Sequence, residues 1–368
     1  GFPMKKRPLG STGITVAPVG LGAAQLGSSV YEHSKDIVFR ALDLGVNYFD
    51  TARGYWDSEI KLGKALKGER ENVIISSKTS GKTKEQSAQH IEESLDRLQT
   101  DYIDNYHLHA LADMEDVNVR LGGPLEALVE AREAGKIRHI GVTGHTDPSF
   151  LVAALKRFDF DTCLVPLNIV EREPLPELIP LAIRKRVGVT VMKPLATGLL
   201  PAPLALKWLM NQPISVAVPG ATTVSEIEQN ASIGQLNDFT LTSEEEAEIA
   251  GWAAKLATER CRICTLCMPC PSDIEIPGTL GTDVLYNHYR SMGPATFAEF
   301  PWEQSRVDDE WQRRENLISK INDHAACDSC MACEQRCPYN LPIVSMLRSM
   351  SPNMQNMLDI WSKENAKV

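Results

Sequence analysis

Val73-Ile74-Ile75-Ser76-Ser77-Lys78, a polar turn, the segment Lys84–Leu98, and then Tyr102-Ile103-Asp104-Asn105-Tyr106-His107-Leu108-His109: this stretch decides the fold. Its first and last parts are short, apolar and rich in β-branched or aromatic residues, as strands require. The middle part is longer and carries apolar residues at helical spacing. A strand, a helix and a second strand in that order make a parallel pair. Working outward, the same unit recurs from about residue 14 to 220. The other strand runs are Val16–Gly22, Val46–Thr51, Ile137–Thr143, Cys163–Asn168, Gly188–Lys193 and Ile214–Pro219. Further helices are expected over Pro124–Ala134, Pro174–Lys185 and Pro203–Asn211, with Pro124 and Pro203 suited to a first turn. Eight units predict an α/β fold, a closed (β/α)8 TIM barrel. An open doubly wound sheet is the alternative, but no G-x-G-x-x-G follows the first strand.

Beyond about residue 256 cysteine, methionine and proline rise. Eight of the nine cysteines form two runs, Cys261-x2-Cys264-x2-Cys267-x2-Cys270-Pro271 and Cys327-x2-Cys330-x2-Cys333-x3-Cys337-Pro338. The second run has the spacing of bacterial ferredoxins, in which three thiolates hold one 4Fe–4S cluster and the fourth holds its neighbour. Two clusters are therefore expected, one on Cys261, Cys264, Cys267 and Cys337, the other on Cys327, Cys330, Cys333 and Cys270. The first run closes with two spacer residues rather than three, which sets Cys270 apart from Cys337. Zinc usually draws its ligands pairwise from two knuckles. Disulfides need an oxidising compartment, and the N-terminus reads as having no signal peptide. Cys163, alone in an apolar run, reads as a packed core thiol. The domains expected are a barrel over residues 1–255 and a small, mostly helical iron–sulfur domain over 256–368. An insert separates the cysteine runs and includes the helical-looking Glu310–Asp323.

The chain has 368 residues, 43% of them hydrophobic and 23% charged, which suits a globular protein of two domains. A net charge of −10 excludes the basic surface that nucleic acids need. No apolar run is long enough to cross a bilayer. Cluster assembly calls for a reducing interior, so a cytoplasmic location is expected. Gly1-Phe2-Pro3 reads as a remnant before a native start at Met4.

In a barrel of this kind chemistry sits at the C-terminal ends of the strands. There the sequence places Asp50, Lys78 and His109, with Tyr55 five residues past Asp50. A free tyrosine is a weak acid, with a pKa of about 10, and a neighbouring ammonium lowers it. Lys78 can supply that charge, Asp50 can hold Lys78, and His109 can orient a carbonyl. Separately, a buried Asp–Lys pair or a strand histidine is usually structural; the convergence of the four favours catalysis. His107 shares the facing of His109 and reads as core or as a support behind the site.

These residues resemble the aldo-keto reductases. The resemblance runs from Lys5 to about Leu256. It is carried by Leu9-Gly10-Ser11-Thr12-Gly13-Ile14 with Gly20-Leu21-Gly22, and by Phe49-Asp50-Thr51-Ala52 with Tyr55 and Ser58-Glu59. Asp101-Tyr102-Ile103-Asp104 with Leu108-His109, and Ile140-Gly141-Val142-Thr143, complete it. The cysteine runs are similar to the ferredoxin-like tail of one branch of that family. The resemblance implies NADPH or NADH bound without a Rossmann fold, and a catalytic tetrad of Asp50, Tyr55, Lys78 and His109 with Tyr55 as acid. It implies cofactor contacts from Gly22, Ala23, Asp50, Thr143, Asn168, Met192 and Lys193. Pro194, Leu195, Thr197 and Gly198 would lie along the pyrophosphate, and Gly220, Glu226, Gln229 and Asn230 around the adenosine. Where the family carries a lysine and an arginine near the 2′-phosphate, this chain has Gly220 and Glu226, which favours NADH at least as much as NADPH. Pro166 stands in place of the family's glutamine, with Asn168 as a substitute. Met192 stands in place of an aromatic, and Gly144-His145 in place of an asparagine.

Hydride carries two electrons and a 4Fe–4S cluster carries one, and no flavin signature joins them. Three readings therefore stay open from sequence. The first is a reductase or dehydrogenase of a small carbonyl or alcohol whose clusters serve a ferredoxin or flavoprotein partner. The second is an ordinary carbonyl reductase with structural or redox-sensing clusters. The third is a non-catalytic electron-transfer subunit.

Overall fold

The computed structural model describes residues 4–283, 286, 289–290 and 313–365. The chain divides into two compact units, Gly1–Ile249 and Ala250–Val368.

The first unit opens with an antiparallel hairpin of β1 (Arg7–Pro8) and β2 (Thr15–Val16), Arg7 opposite Val16. Gly10 turns it with φ +56°, and an added Cβ there would meet Gly188 N at 2.4 Å. Only glycine fits both the left-handed turn and that approach. Eight parallel strands follow in sequential order: β3 (Leu21–Gly22), β4 (Tyr48–Asp50), β5 (Ile74–Thr79), β6 (Ile103–Leu108), β7 (Ile137–Thr143), β8 (Thr162–Pro166), β9 (Gly188–Met192) and β10 (Val216–Ala217). The two edges of this curled sheet meet through parallel bridges Val19↔Ala217 and Gly22↔Gly220. Each sheet strand falls within or against a run expected from the sequence. The strands β6, β8 and β9 are buried along their whole length, because one face looks into the barrel and the other lies under helices.

Helix Lys84–Leu98 shows how the covering layer is specified. Thr83 caps it by accepting from the Gln86 N–H, and Gln99 ends it at φ +53°. Its buried positions Ser87, Ile91, Ser94 and Leu98 repeat at helical spacing. Each large apolar side chain so buried contributes about 1.5–3 kcal/mol. The expected helices appear as Gly123–Glu133, Leu178–Arg184 and Ala202–Met210. Leu178–Arg184 is the one markedly shorter than expected, starting past the turns of 173–177.

Inside the barrel lies a polar layer. Thr162 Oγ1 donates to Asn105 Oδ1 at 2.8 Å, and Asn105 Nδ2 donates to the Tyr48 hydroxyl at 3.2 Å. The His107 ring meets Ser76 Oγ at 3.2 Å and Thr162 Oγ1 at 3.2 Å. Gly141 makes room for it, since a Cβ there would sit 2.2 Å from the imidazole. Burial, then Lys78, push His107 down to about 3, so it stays neutral. His107 is a core residue. Cys163 is buried as well, and burial pushes its thiol up to about 12.

The second unit takes in the end of helix Ser243–Ala257 and the described helices Ile276–Leu280, Arg313–Ala326, Ala332–Arg336 and Ile343–Asn365, while 258–275 form turns and irregular chain. The helix expected over Glu310–Asp323 is found from Arg313 onward; 310–312 lie outside the described residues. One core cluster joins Cys267, Cys333 and Cys337 to Ile274, Leu341 and Leu347. A second gathers Ile321, Met354, Met357 and Leu358. No described helix is long and apolar enough to cross a membrane.

Candidate active site

Parallel register brings the strand ends together. Asp50 ends β4 opposite Ser76, and Lys78 lies two residues further along β5 on the same facing. Past Asp50 the chain follows β5, with Thr51 N–H donating to Ser76 O at 2.8 Å and Arg53 N–H to Lys78 O at 3.4 Å. It then turns back through Tyr55, whose N–H donates to Ala52 O at 3.0 Å and whose O accepts from Ser58 N–H at 2.9 Å. This turn lies on the 25–28 loop, where a Cβ on Gly27 would stand 2.1 Å from Tyr55 O. Lys61 braces the same loop by donating to the carbonyls of Leu26, Gly27 and Ser29. Burial lowers its pKa to about 8.

The result is one cluster. Lys78 Nζ donates to Asp50 Oδ2 at 2.8 Å, both side chains nearly inaccessible. It also stands 4.8 Å from the Tyr55 ring centroid. The Tyr55 and His109 rings meet edge to face, 5.9 Å apart. Burial works against the Lys78 ammonium, but Asp50 and Tyr55 outweigh it, and the net shift is upward. The sequence led us to expect a lowered Tyr55 pKa. The net direction is up, because burial of the phenol exceeds the pull of Lys78, and Asp50 adds to the rise. Tyr55 is therefore a phenol that holds its proton. His109 is driven well below its ordinary value by burial, then by Lys78, His145, Arg120 and His107. It is a neutral imidazole.

Two neighbours were not singled out from sequence as site residues. His145 lies with its ring 6.2 Å from that of His109, and burial, Lys193 and Lys78 push it down to about 3. Arg120 is buried, and its guanidinium donates to the carbonyls of His109, at 3.0 Å, and of Thr79. It thereby ties the end of β6 to the end of β5. Nothing in the spacing of a residue eleven positions past His109 signals that reach.

The expected cofactor residues divide. Thr143 ends β7, and its hydroxyl accepts from Ala110 N–H at 2.7 Å, bracing the loop that carries His109. Met192 ends β9 opposite Pro166. After it Lys193, Ala196, Thr197 and Gly198 all take left-handed φ, between +48° and +89°. Three of them are not glycine, which stores strain in this rim loop, about 1–3 kcal/mol per residue. Pro194 and Leu195 lie within it. Ala23 N–H donates to Asp50 O at 2.8 Å, and Gly22 bridges Gly220. Gly220 admits the Gln25 side chain, 2.4 Å from where a Cβ would stand. Asn168 has other work than gripping an amide: its Oδ1 accepts from the N–H groups of Val170 and Glu171, and its Nδ2 donates to Glu171 and to Lys193 O. Glu226 accepts from Thr222 N–H and hydroxyl while Thr223 caps its helix, a capping arrangement readable as Thr-x-x-Glu. Gln229 is exposed, whereas Asn230 is buried with Nδ2 toward Gly220 O at 3.5 Å.

In the second unit the eight clustered cysteines line two hollows. Cys261, Cys264, Cys267 and Cys337 line one. Cys270, Cys327, Cys330 and Cys333 line the other. Among the described residues, no three His, Cys, Asp or Glu side chains converge as the ligands of a single metal ion.

The family model for the aldo/keto reductase family matches residues 18–203. L-Galactose dehydrogenase of Arabidopsis thaliana is 32% identical over 297 residues, spanning 66% of this chain and 92% of the relative. The NADH-specific methylglyoxal reductase of Escherichia coli is 30% identical over 227 residues, 54% of this chain and 69% of the relative. An aldo-keto reductase of Bacillus halodurans in its holo form superposes with a TM-score of 0.60 at 29% identity, covering 68% of this chain and 96% of that one. An aldo/keto reductase of Klebsiella pneumoniae in complex with NADP and acetate gives 0.58 at 27%, with the same coverage. With its curled sheet of parallel strands and a polar cluster at the strand ends, the chain belongs to the aldo/keto reductase family and is an oxidoreductase.

Proposed function

We propose that the first unit reduces a small carbonyl compound to its alcohol, or runs the reverse, with NADH or NADPH, and that the second unit holds two 4Fe–4S clusters. The observation that carries the first half is the contact of Tyr55, Lys78, Asp50 and His109 at the strand ends. A nicotinamide supplies or accepts hydride when bound. The residues fit such a guest: the rim loop 193–198 is held in left-handed turns, and Asp50 Oδ1 is buried with no hydrogen-bond partner. Tyr55 Oη delivers the proton to a carbonyl oxygen as it becomes an alkoxide, an acceptor basic enough to take a proton from a phenol of raised pKa. Lys78, fixed by Asp50, stabilises the phenolate left behind. Neutral His109 donates a hydrogen bond to the carbonyl and orients it. Arg120 positions His109 through the backbone.

NADH stands at least level with NADPH: no cation is found at Gly220 and Glu226 and the Escherichia coli relative is NADH-specific, while the Klebsiella pneumoniae structure holds NADP. For the clusters, the support is that the four cysteines of each predicted set line the same hollow, together with the ferredoxin spacing of the second run. One-electron exchange with a ferredoxin or flavoprotein is the role we assign them, in a reducing, cytoplasmic setting.

Tyr55→Phe tests the acid: turnover should fall by about 100-fold or more with nicotinamide binding kept. Retained turnover rejects the assignment. Anaerobic purification with an iron count and absorbance spectrum tests the clusters, and a colourless protein carrying zinc rejects them. Carbonyl reduction that survives Cys261→Ser with Cys327→Ser would reduce the clusters to a structural or sensing role.

A further inference from the structure

The two cysteine-lined hollows differ in charge. Arg262 lines the one bounded by Cys261, Cys264, Cys267 and Cys337, and only 8% of it is exposed. Its NH1 donates to the carbonyls of Ala257, at 3.2 Å, and Arg260, and its guanidinium lies 4.8 Å from the Tyr339 ring centroid. Its Nε is buried with no hydrogen-bond partner, and among the described residues no carboxylate pairs with it. An arginine keeps its charge in proteins, and a buried, uncompensated charge costs several kcal/mol. The other hollow is lined by Asp328, whose Oδ1 accepts from Cys330 N–H at 3.0 Å, and Cys330 is exposed.

Resting on the iron–sulfur reading above, we infer that Arg262 is a built-in counter-charge for an anionic cluster on Cys261, Cys264, Cys267 and Cys337, and that it makes this the more easily reduced of the two sites. A four-iron cubane held by four thiolates is a net anion, and gaining one electron makes it more negative. A guanidinium in a low-dielectric pocket favours the reduced form, whereas Asp328 beside the other cluster is exposed, so its opposing effect is smaller and screened by water. Exposure of the second site favours its reduction, but water-screened solvation is the weaker of these effects beside a buried unit charge.

Anaerobic potentiometric titration with dithionite, followed by electron paramagnetic resonance, reads both midpoints in the full chain. The wild type should hold two clusters with separated midpoints. Arg262→Gln should lower the upper midpoint alone, cutting the equilibrium preference of the electron for that site by about tenfold or more. Arg262→Lys should keep most of the separation, and Asp328→Asn should raise the lower midpoint. Failure of Arg262→Gln to assemble one cluster, with Arg262→Lys assembling both, supports the same charge. Unchanged midpoints in an iron-replete Arg262→Gln protein, or failure of Arg262→Lys as well, overturns the assignment and leaves the iron–sulfur reading intact. A wild type without iron overturns both.

Discussion

In the barrel unit several charged side chains meet a side-chain partner, Lys78 with Asp50, Arg70 with Asp104 at 2.7 Å, and Glu59 with Ser77 and Arg97, while buried Lys61 and Arg120 are held by backbone carbonyls. In the cysteine-rich unit, Arg262 is answered by carbonyls and a ring, and eight cysteines line two hollows. The first site is complete when the sheet closes. Under the cluster proposal the second is a half-site, whose apolar core includes three of its own candidate ligands. Burial pushes the Cys267 thiol up to about 11, so occupation of this site must displace protons. On that proposal, one chain would join a site ordered by its own backbone to a site ordered by its guest.

The contrast is broken most directly at Lys78. Lys78→Met should abolish turnover and destabilise the barrel by about 3–5 kcal/mol, because Asp50 is left buried and unpaired. Denaturant titration beside a turnover assay measures both, and a barrel of unchanged stability would show that the ion pair is not what completes the site. Iron chelation should do the reverse. The helical signal of residues 250–368 should melt at lower temperature while nicotinamide binding persists, as scanning calorimetry of loaded and chelated protein would report.

That asymmetry was only partly legible in the sequence. The strand ends were, because a parallel sheet fixes which end carries the chemistry, and Asp50, Lys78 and His109 needed only the period of the strand. His107 read correctly as core for the same reason. The direction of the Tyr55 shift was not legible, since it depends on whether burial of the phenol outweighs the pull of Lys78, and burial is set by the folded surroundings rather than by spacing along the chain. Arg120 was invisible because its work is done on carbonyls far along the strands. Glu226 carried a capping signature all along, in Thr223-x-x-Glu226, which competes with its reading as a nucleotide contact.

Three smaller effects sharpen the comparison. Burial keeps His107 neutral down to about pH 3, whereas an unfolded histidine takes its proton near 6.5. The unfolded state then binds more protons across that window, so barrel stability should rise with pH between those values. His107→Gln should flatten the slope in pH-dependent unfolding, and an unaltered slope would place its origin elsewhere. For turnover, raised Tyr55 and lowered His109 predict a carbonyl-reduction rate without a break near 6.5, falling only in alkali above the ordinary tyrosine value of about 10. A break near neutrality would mean that one of the pair titrates there. Finally, Glu226→Arg should raise the affinity for NADPH relative to NADH, at a cost of about 1–3 kcal/mol for the hydrogen bonds that Glu226 accepts from Thr222. An unchanged ratio in a fluorescence titration would sever Glu226 from nucleotide choice.

The polar layer of Tyr48, Asn105, His107 and Thr162 has one more consequence. It stoppers the cylinder, with Gly141 yielding the last space to an imidazole. With that layer filled, a small molecule held at Tyr55 would be released on the side of the strand ends by which it came, so side chains there would set residence time as much as entry.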